Sequence, residues 1–253
     1  MSYIVAENIA KQYGAGASAA YAVAGVSLEI EAGSFVGIMG ESGAGKSTLL
    51  SVLGAMNSPT SGRYLVDGID VYALGTERQA DFRREYLGFV FQSFHLVPYL
   101  SVLENVMLPL TTARIGSREK KRMAMEALDW VGIEQLAGRL PGGISGGEKE
   151  RVAVARAIVN DPPVLLADEP TGNLDNRNTL EVMKLLERLN RAGTTIVMVT
   201  HSLECARFAG RILRLFDGRV QEGEDPGENA RTGIGPLPRR CTVDPSLRPA
   251  SVE

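Results

Sequence analysis

The run Gly40-Glu41-Ser42-Gly43-Ala44-Gly45-Lys46-Ser47-Thr48 sets glycines around one lysine and ends on two hydroxyls, with the spacing G-x-x-x-x-G-K-[ST]. Glycines let backbone N–H groups turn inward and approach phosphate oxygens closely. An apolar run, 35–39, comes before it, and a good helix opening, 47–53, comes after. Strand, glycine loop and helix is the context that makes this spacing a phosphate cradle. The new helix would aim its unpaired N–H groups and the positive end of its dipole at the same anion. Lys46 is expected to reach the β- and γ-phosphates of a nucleotide, and the Ser47 hydroxyl to ligate Mg²⁺.

Other positions offer what hydrolysis of such a phosphate requires. Val164-Leu165-Leu166-Ala167 is an apolar run that ends in Asp168-Glu169. It reads as a buried parallel strand carrying two carboxylates to its C-terminal edge, where doubly wound sheets place their sites. Asp168 suits the Mg²⁺ shell, through water. Glu169 projects elsewhere and is the expected general base for an attacking water. Gln92, after Leu87-Gly88-Phe89-Val90-Phe91, can offer its amide oxygen to Mg²⁺ and its NH₂ to that water. His201, at the end of the run 194–200, can bond the γ-phosphate and hold Glu169 in place. Asp168 and Glu169 alone could be a helix cap, and a lone histidine at a strand end is usually structural. The phosphate loop is what gives these residues a shared purpose. A second glycine turn, Ser145-Gly146-Gly147-Glu148, opens another helix and so offers a second anion site, but it has no lysine. Tyr13 borders a flexible stretch of small residues and could carry a nucleotide base on its ring.

The elements that must position these groups follow from pattern. Residues 3–9 and 22–30 alternate like half-buried strands. Asp67-Gly68 and Asp217-Gly218 each sit between short apolar runs and predict hairpins. Residues 76–85 read as a polar helix, and 99–140 contain no β-rich run. Within that block the apolar spacing predicts a helix from Arg118 to Val131, capped by Ser117 and ended by Gly132. Helices are also expected over 149–159 and 176–192. The composition turns to Gly, Pro, Arg, Glu and Ser beyond about 222, so 223–253 is expected to be a disordered tail.

The chain of 253 residues can bury a substantial core, and its net charge of −3 provides no basic field for nucleic acid. No apolar run approaches the roughly 20 residues that span a bilayer. The N-terminal residues lack the basic-then-apolar pattern of a leader. Cys205 and Cys241 have no metal-type spacing and read as reduced thiols.

With these residues in hand, the chain resembles the nucleotide-binding subunits of ABC transporters over about residues 3–222. Gly40–Thr48 resembles the Walker A motif, and Val164–Asp168 resembles Walker B with Glu169 as its catalytic glutamate. Gln92 is similar to the Q-loop residue, Ser145–Glu148 to the signature, Asn173-Leu174-Asp175 to the D-loop, His201 to the switch histidine and Tyr13 to the aromatic A-loop residue. Stretches 88–98, 104–106 and 167–175 look most like the lipoprotein-release and macrolide-export ATPases and are close also to the cell-division ATPases, which implies work of the export, lipoprotein-release or mechanotransmission type.

The resemblance implies an α/β P-loop NTPase core with a mainly parallel sheet, an antiparallel β subdomain and a helical insert at about 93–160. It implies ATP and Mg²⁺ as ligands, and head-to-tail dimers, of this chain or with a similar ATPase. Ser145, Gly146, Gly147 and Glu148 of one chain would then face the phosphate loop of the other, with Asp175 in communication between the two. It implies a separate transmembrane permease, received in a groove at Phe94 to Leu103, and a place on the cytoplasmic face of the membrane. The sequence departs from the family pattern at Ile144 for Leu, at Gly142-Gly143 for a bulkier pair, and at Glu148 and Glu150, where Gln is frequent.

Two other classes compete. A soluble ATPase of the same type acting on nucleic acid or the ribosome would usually carry coiled-coil or zinc-bearing inserts or a second core, and none is seen. A regulator unable to hydrolyse ATP is disfavoured because Lys46, Asp168, Glu169 and His201 are all present.

Overall fold

The computed structural model describes residues 2–14 and 18–222. The expected tail, 223–253, lies outside the described residues. In chain order the elements begin with β1 (Ser2–Tyr13), β2 (Ala20–Glu31), β3 (Phe35–Met39), α1 (Lys46–Leu53), β4 (Ser61–Val66), β5 (Ile69–Asp70), α2 (Thr76–Tyr86) and β6 (Leu87–Phe91). There follow α3 (Val102–Met107), α4 (Ser117–Trp130), α5 (Gly146–Ile158), β7 (Val164–Asp168), α6 (Asn176–Arg191), β8 (Thr195–Thr200), α7 (Leu203–Ala206), β9 (Arg211–Phe216) and β10 (Arg219–Glu222).

Two sheets form. The larger runs β10-β9-β3-β8-β7-β6, parallel except for β10, and the smaller is antiparallel in the order β2-β1-β4-β5. The central strands are buried on both faces, and their side chains alternate between two cores with the period of a strand. Val36, Ile38, Val164, Leu166, Val197 and Val199 join α1 and the antiparallel sheet in one core. Phe35, Leu165, Ala167, Ile196 and Met198 join α3, α4, α5 and α6 in the other. The helix α1 therefore lies between the two sheets, with Leu49, Leu50, Val52 and Leu53 buried. The mainly parallel core, antiparallel subdomain and helical insert are all present. Asp67 and Asp217, each followed by glycine, take φ of 50° and 45°, as tight hairpin turns require.

Strand register brings the site together. Met39 pairs with Thr200, Asp168 with Val199, and Phe91 with Asp168. The next residues along, Gly40, His201, Glu169 and Gln92, thus stand in a row at one sheet edge although they are distant in sequence.

Several boundaries differ from the sequence expectation, three of them for a clear local reason. Tyr13 belongs to β1, paired with Ala20, because the antiparallel ladder runs further than the apolar alternation does. Ser117 is the first residue of α4, not its cap; Gly116 stands at the cap position without a side-chain bond. The helix α5 begins at Gly146, three residues early, because Ser145 and Glu148 close a capping box around its first turn.

Candidate functional site

A cleft of about 650 Å³ is lined by Ala22, Ser42, Gly43, Gly45, Lys46, Ser47, Thr48, Gln92, Glu169 and His201. Its floor is the glycine loop, which ends at the start of α1. Gly45 takes φ 97°, and a Cβ there would stand 1.9 Å from the Ala22 carbonyl oxygen, so only glycine fits. No side chain caps α1, so its first N–H groups are left for an anion in the cleft. Lys46, buried to 8% exposure, donates to the carbonyls of Gly40 and Glu41 at 2.8 Å each, which fixes its ammonium at the loop.

Asp168 and Ser47 meet beside that loop. The Ser47 hydroxyl donates to Asp168 Oδ1 at 3.1 Å. Burial raises the Asp168 pKa, the bond from Ser47 opposes that rise, Glu169 adds to it and Lys46 opposes it. A half-buried carboxylate whose charge is resisted by burial gains from a hard cation, and hydroxyl plus carboxylate oxygens are the donors that Mg²⁺ takes. Among the described residues no three His, Cys, Asp or Glu side chains gather as a metal cluster. The donor set therefore fits an ion that completes its shell with phosphate oxygens and water.

Glu169 follows β7 with φ 49°, a left-handed backbone uncommon for a glutamate. Such strain costs of order 1–3 kcal/mol and persists where surrounding bonds over-determine it. Here the Glu169 N–H donates to the Val199 carbonyl at 3.0 Å, and the Glu169 carbonyl accepts from Gly172 N–H at 3.0 Å. The carboxylate that follows meets His201. His201 Nδ1 lies 2.8 Å from Glu169 Oε2, and the His201 backbone N–H donates to the same oxygen at 3.4 Å. The Glu169 side chain is 12% exposed and that of His201 67%, so the acid is sheltered while the imidazole reaches outward. His201 thus contacts Glu169 through both its ring and its backbone.

The remaining expected residues stand apart from the cleft. Tyr13 is 48% exposed and is not part of the lining; its hydroxyl accepts from Asn57 Nδ2 at 2.6 Å, and Lys11 Nζ lies 5.4 Å from its ring centre. Ser145, Gly146, Gly147 and Glu148 do not line it either. Ser145 N–H and hydroxyl both donate to Glu148 Oε2, at 2.7 and 2.8 Å, and the Ser145 oxygen accepts from Glu148 N–H at 3.3 Å. These bonds hold the Glu148 carboxyl below its usual range. They leave the N–H groups of Gly146 and Gly147 at the helix start for another acceptor.

Asp175 caps α6 by accepting from Asn178 N–H at 2.8 Å. Asn178 in turn packs on the glycine turn: a Cβ on Gly147 would stand 2.1 Å from Asn178 Oδ1. Asn178 was not expected from sequence, and its only signal is its position three residues after Asp175. Ala22 was also missed; it reaches the cleft as part of the hairpin strand β2. Tyr99, in the segment expected to receive a membrane partner, is 80% exposed. Asn105 fixes the loop around it, bonding Val97 N–H and the carbonyls of Val97, Leu100 and Ser101.

A family model described as ABC transporter matches residues 23–172. Over 213 residues the chain is 47% identical to the macrolide export ATP-binding/permease protein MacB of Chlorobium luteolum, covering 84% of this chain and 32% of that protein. It is 45% identical to the lipoprotein-releasing system ATP-binding protein LolD of Geobacter metallireducens, covering 84% of this chain and 95% of that one. The chain thus spans about a third of the macrolide-export relative and nearly all of the lipoprotein-releasing one. A solved dimeric structure of a post-hydrolysis state of the ATP-binding cassette MJ0796, bound to ADP and Pi, matches with a TM-score of 0.82 at 41% identity. That match covers 89% of this chain and all of the other, and a relative of the same designation comes from Methanocaldococcus jannaschii.

Proposed function

Since the chain belongs to the ABC transporter family of ATP-binding proteins, we propose that it is an ATP-hydrolysing motor subunit that pairs around two nucleotides and drives a separate membrane permease. One observation carries this reading: the Gly40–Thr48 loop, Gln92, the Glu169–His201 pair and the Ser47–Asp168 pair share one sheet edge. The phosphates would lie against the α1 N-terminus and Lys46, with the base reaching Tyr13. Ser47 and Asp168, with Gln92, would hold Mg²⁺, whose positive charge would offset that of the nucleotide's phosphates. Glu169 takes the proton of a water that attacks the γ-phosphorus as the bond to the ADP oxygen breaks. His201 holds Glu169 in that position and meets the γ-phosphate with its exposed edge.

The glycine turn at Ser145 does not line its own chain's cleft, which supports its use by a second chain. Ser145 and the N–H groups of Gly146 and Gly147 would then close the partner's site, with the α5 dipole favouring the phosphate. Asp175, braced through Asn178 against that turn, would carry communication between the two chains. Loss of the γ-phosphate removes these contacts and opens the pair. No helix among the described residues is long and apolar enough to cross a membrane. A peripheral place on the cytoplasmic face of the membrane, with Phe94 to Leu103 and the exposed Tyr99 toward the permease, fits this.

The expected result on adding ATP is phosphate release that requires a divalent cation. Chelating the cation should abolish it, and restoring Mg²⁺ should recover it. Phosphate release unchanged in excess chelator would remove the metal from the account.

A further inference from the structure

The turn after Gln92 is gripped from two sides. Asn173 Nδ2 donates to the Gln92 carbonyl at 2.8 Å. From α5, Arg156 donates one guanidinium nitrogen to the His95 carbonyl at 2.6 Å and the other to the Phe94 carbonyl at 2.5 Å. Phe94 and His95 have φ of 58° and 46°, two consecutive left-handed states, which are uncommon outside glycine. Two such residues in succession bring both carbonyls within reach of one planar donor, and the guanidinium fork matches that pair in a way an ammonium does not. The rings of Phe91 and His95, 5.0 Å apart, close the turn on its other side.

The surroundings of Arg156 keep its donors available. Glu150, on the same helix, is 1% exposed and its Oε1 is buried without a hydrogen-bond partner. Burial pushes the Glu150 carboxyl up to about 9, the charge of Arg156 opposing, so it is neutral near pH 7. A neutral acid does not compete for the guanidinium as a carboxylate would.

We propose that Arg156 and Asn173 are positioning residues for Gln92, holding the 92–95 turn in the one shape that sets the Gln92 side chain in the cleft wall. The proposal rests on the reading of Gln92 as a group that meets the metal and the attacking water. It goes beyond that reading by tying Gln92 to α5, the helix whose first turn carries Ser145.

The test is a double-mutant cycle on ATP hydrolysis, with Arg156→Lys, Asn173→Ala and Gln92→Ala alone and in pairs. A mispositioned group can cost roughly 10- to 100-fold in turnover. Each positioning variant is expected to lose kcat on that scale with KM for ATP within about twofold of the parent. Neither should cause further loss when added to Gln92→Ala, because the group they position is already gone. Thermal unfolding shows which variants are folded; should Arg156→Lys be unfolded, the exposed Asn173→Ala carries the same cycle. Full kcat in the folded variants, or losses that multiply with that of Gln92→Ala, would overturn the proposal. Full turnover by Gln92→Ala itself would instead sink the reading of Gln92.

Discussion

Glu169→Gln is expected to bind ATP as the parent does while releasing phosphate about 10²- to 10⁴-fold more slowly, the usual scale for loss of a general base. The amide has the size of the carboxylate and can still accept from His201, whose Nδ1 and backbone N–H both meet Glu169 Oε2 in the parent. What it loses is the capacity to take a proton from water. With the γ-phosphate retained, the contacts that close two chains around it also persist, so the variant should accumulate as an ATP-bound dimer. Single-turnover phosphate release, with light scattering on the same sample, reads both effects. Parent-like turnover would show that the proton goes elsewhere.

The second large effect concerns which chain owns the Ser145 turn. Lys46→Ala and Ser145→Arg should each be nearly inactive as a pure preparation. Mixed, they should recover activity. In a mixed pair one site combines an intact Lys46 loop with the other chain's intact Ser145 turn, and both lesions fall in the opposite site. Random pairing of equal amounts makes about half the dimers mixed, each with one good site of two, so roughly a quarter of parental activity is expected. If the turn served its own chain, both sites of the mixed pair would be damaged and no activity would return. Ser145 also caps α5, and its replacement costs about 1 kcal/mol of helix stability, so the melting temperature of the variant must be followed beside its activity.

Sequence was a good guide where the determining interactions are short in range. The glycine loop, the two Asp-Gly hairpins and the apolar strands ending at Asp168 and Thr200 are set by residue type and period alone. The early start of α5 was missed: the glycine turn reads as ending before the helix, whereas Ser145 and Glu148 close a capping box that draws Gly146 and Gly147 into its first turn. What else escaped was long-range. Arg156 reaches Phe94 across 62 positions and Asn173 reaches Gln92 across 81. No local pattern pairs an arginine with two carbonyls. Nor does residue type forecast left-handed backbone at Phe94, His95 and Glu169, where the fold imposes a state these side chains disfavour. Asn178 escaped for a related reason: its contact with Gly147 depends on how α5 and α6 cross, not on its neighbours in the chain.

The most direct measurement is ATP hydrolysis per chain as the protein is diluted, with sedimentation run in parallel to follow pairing. If two chains must meet to complete each pocket, the rate per chain falls in step with the dimer and vanishes with it. A rate per chain that holds constant where sedimentation finds only monomer would contradict the account.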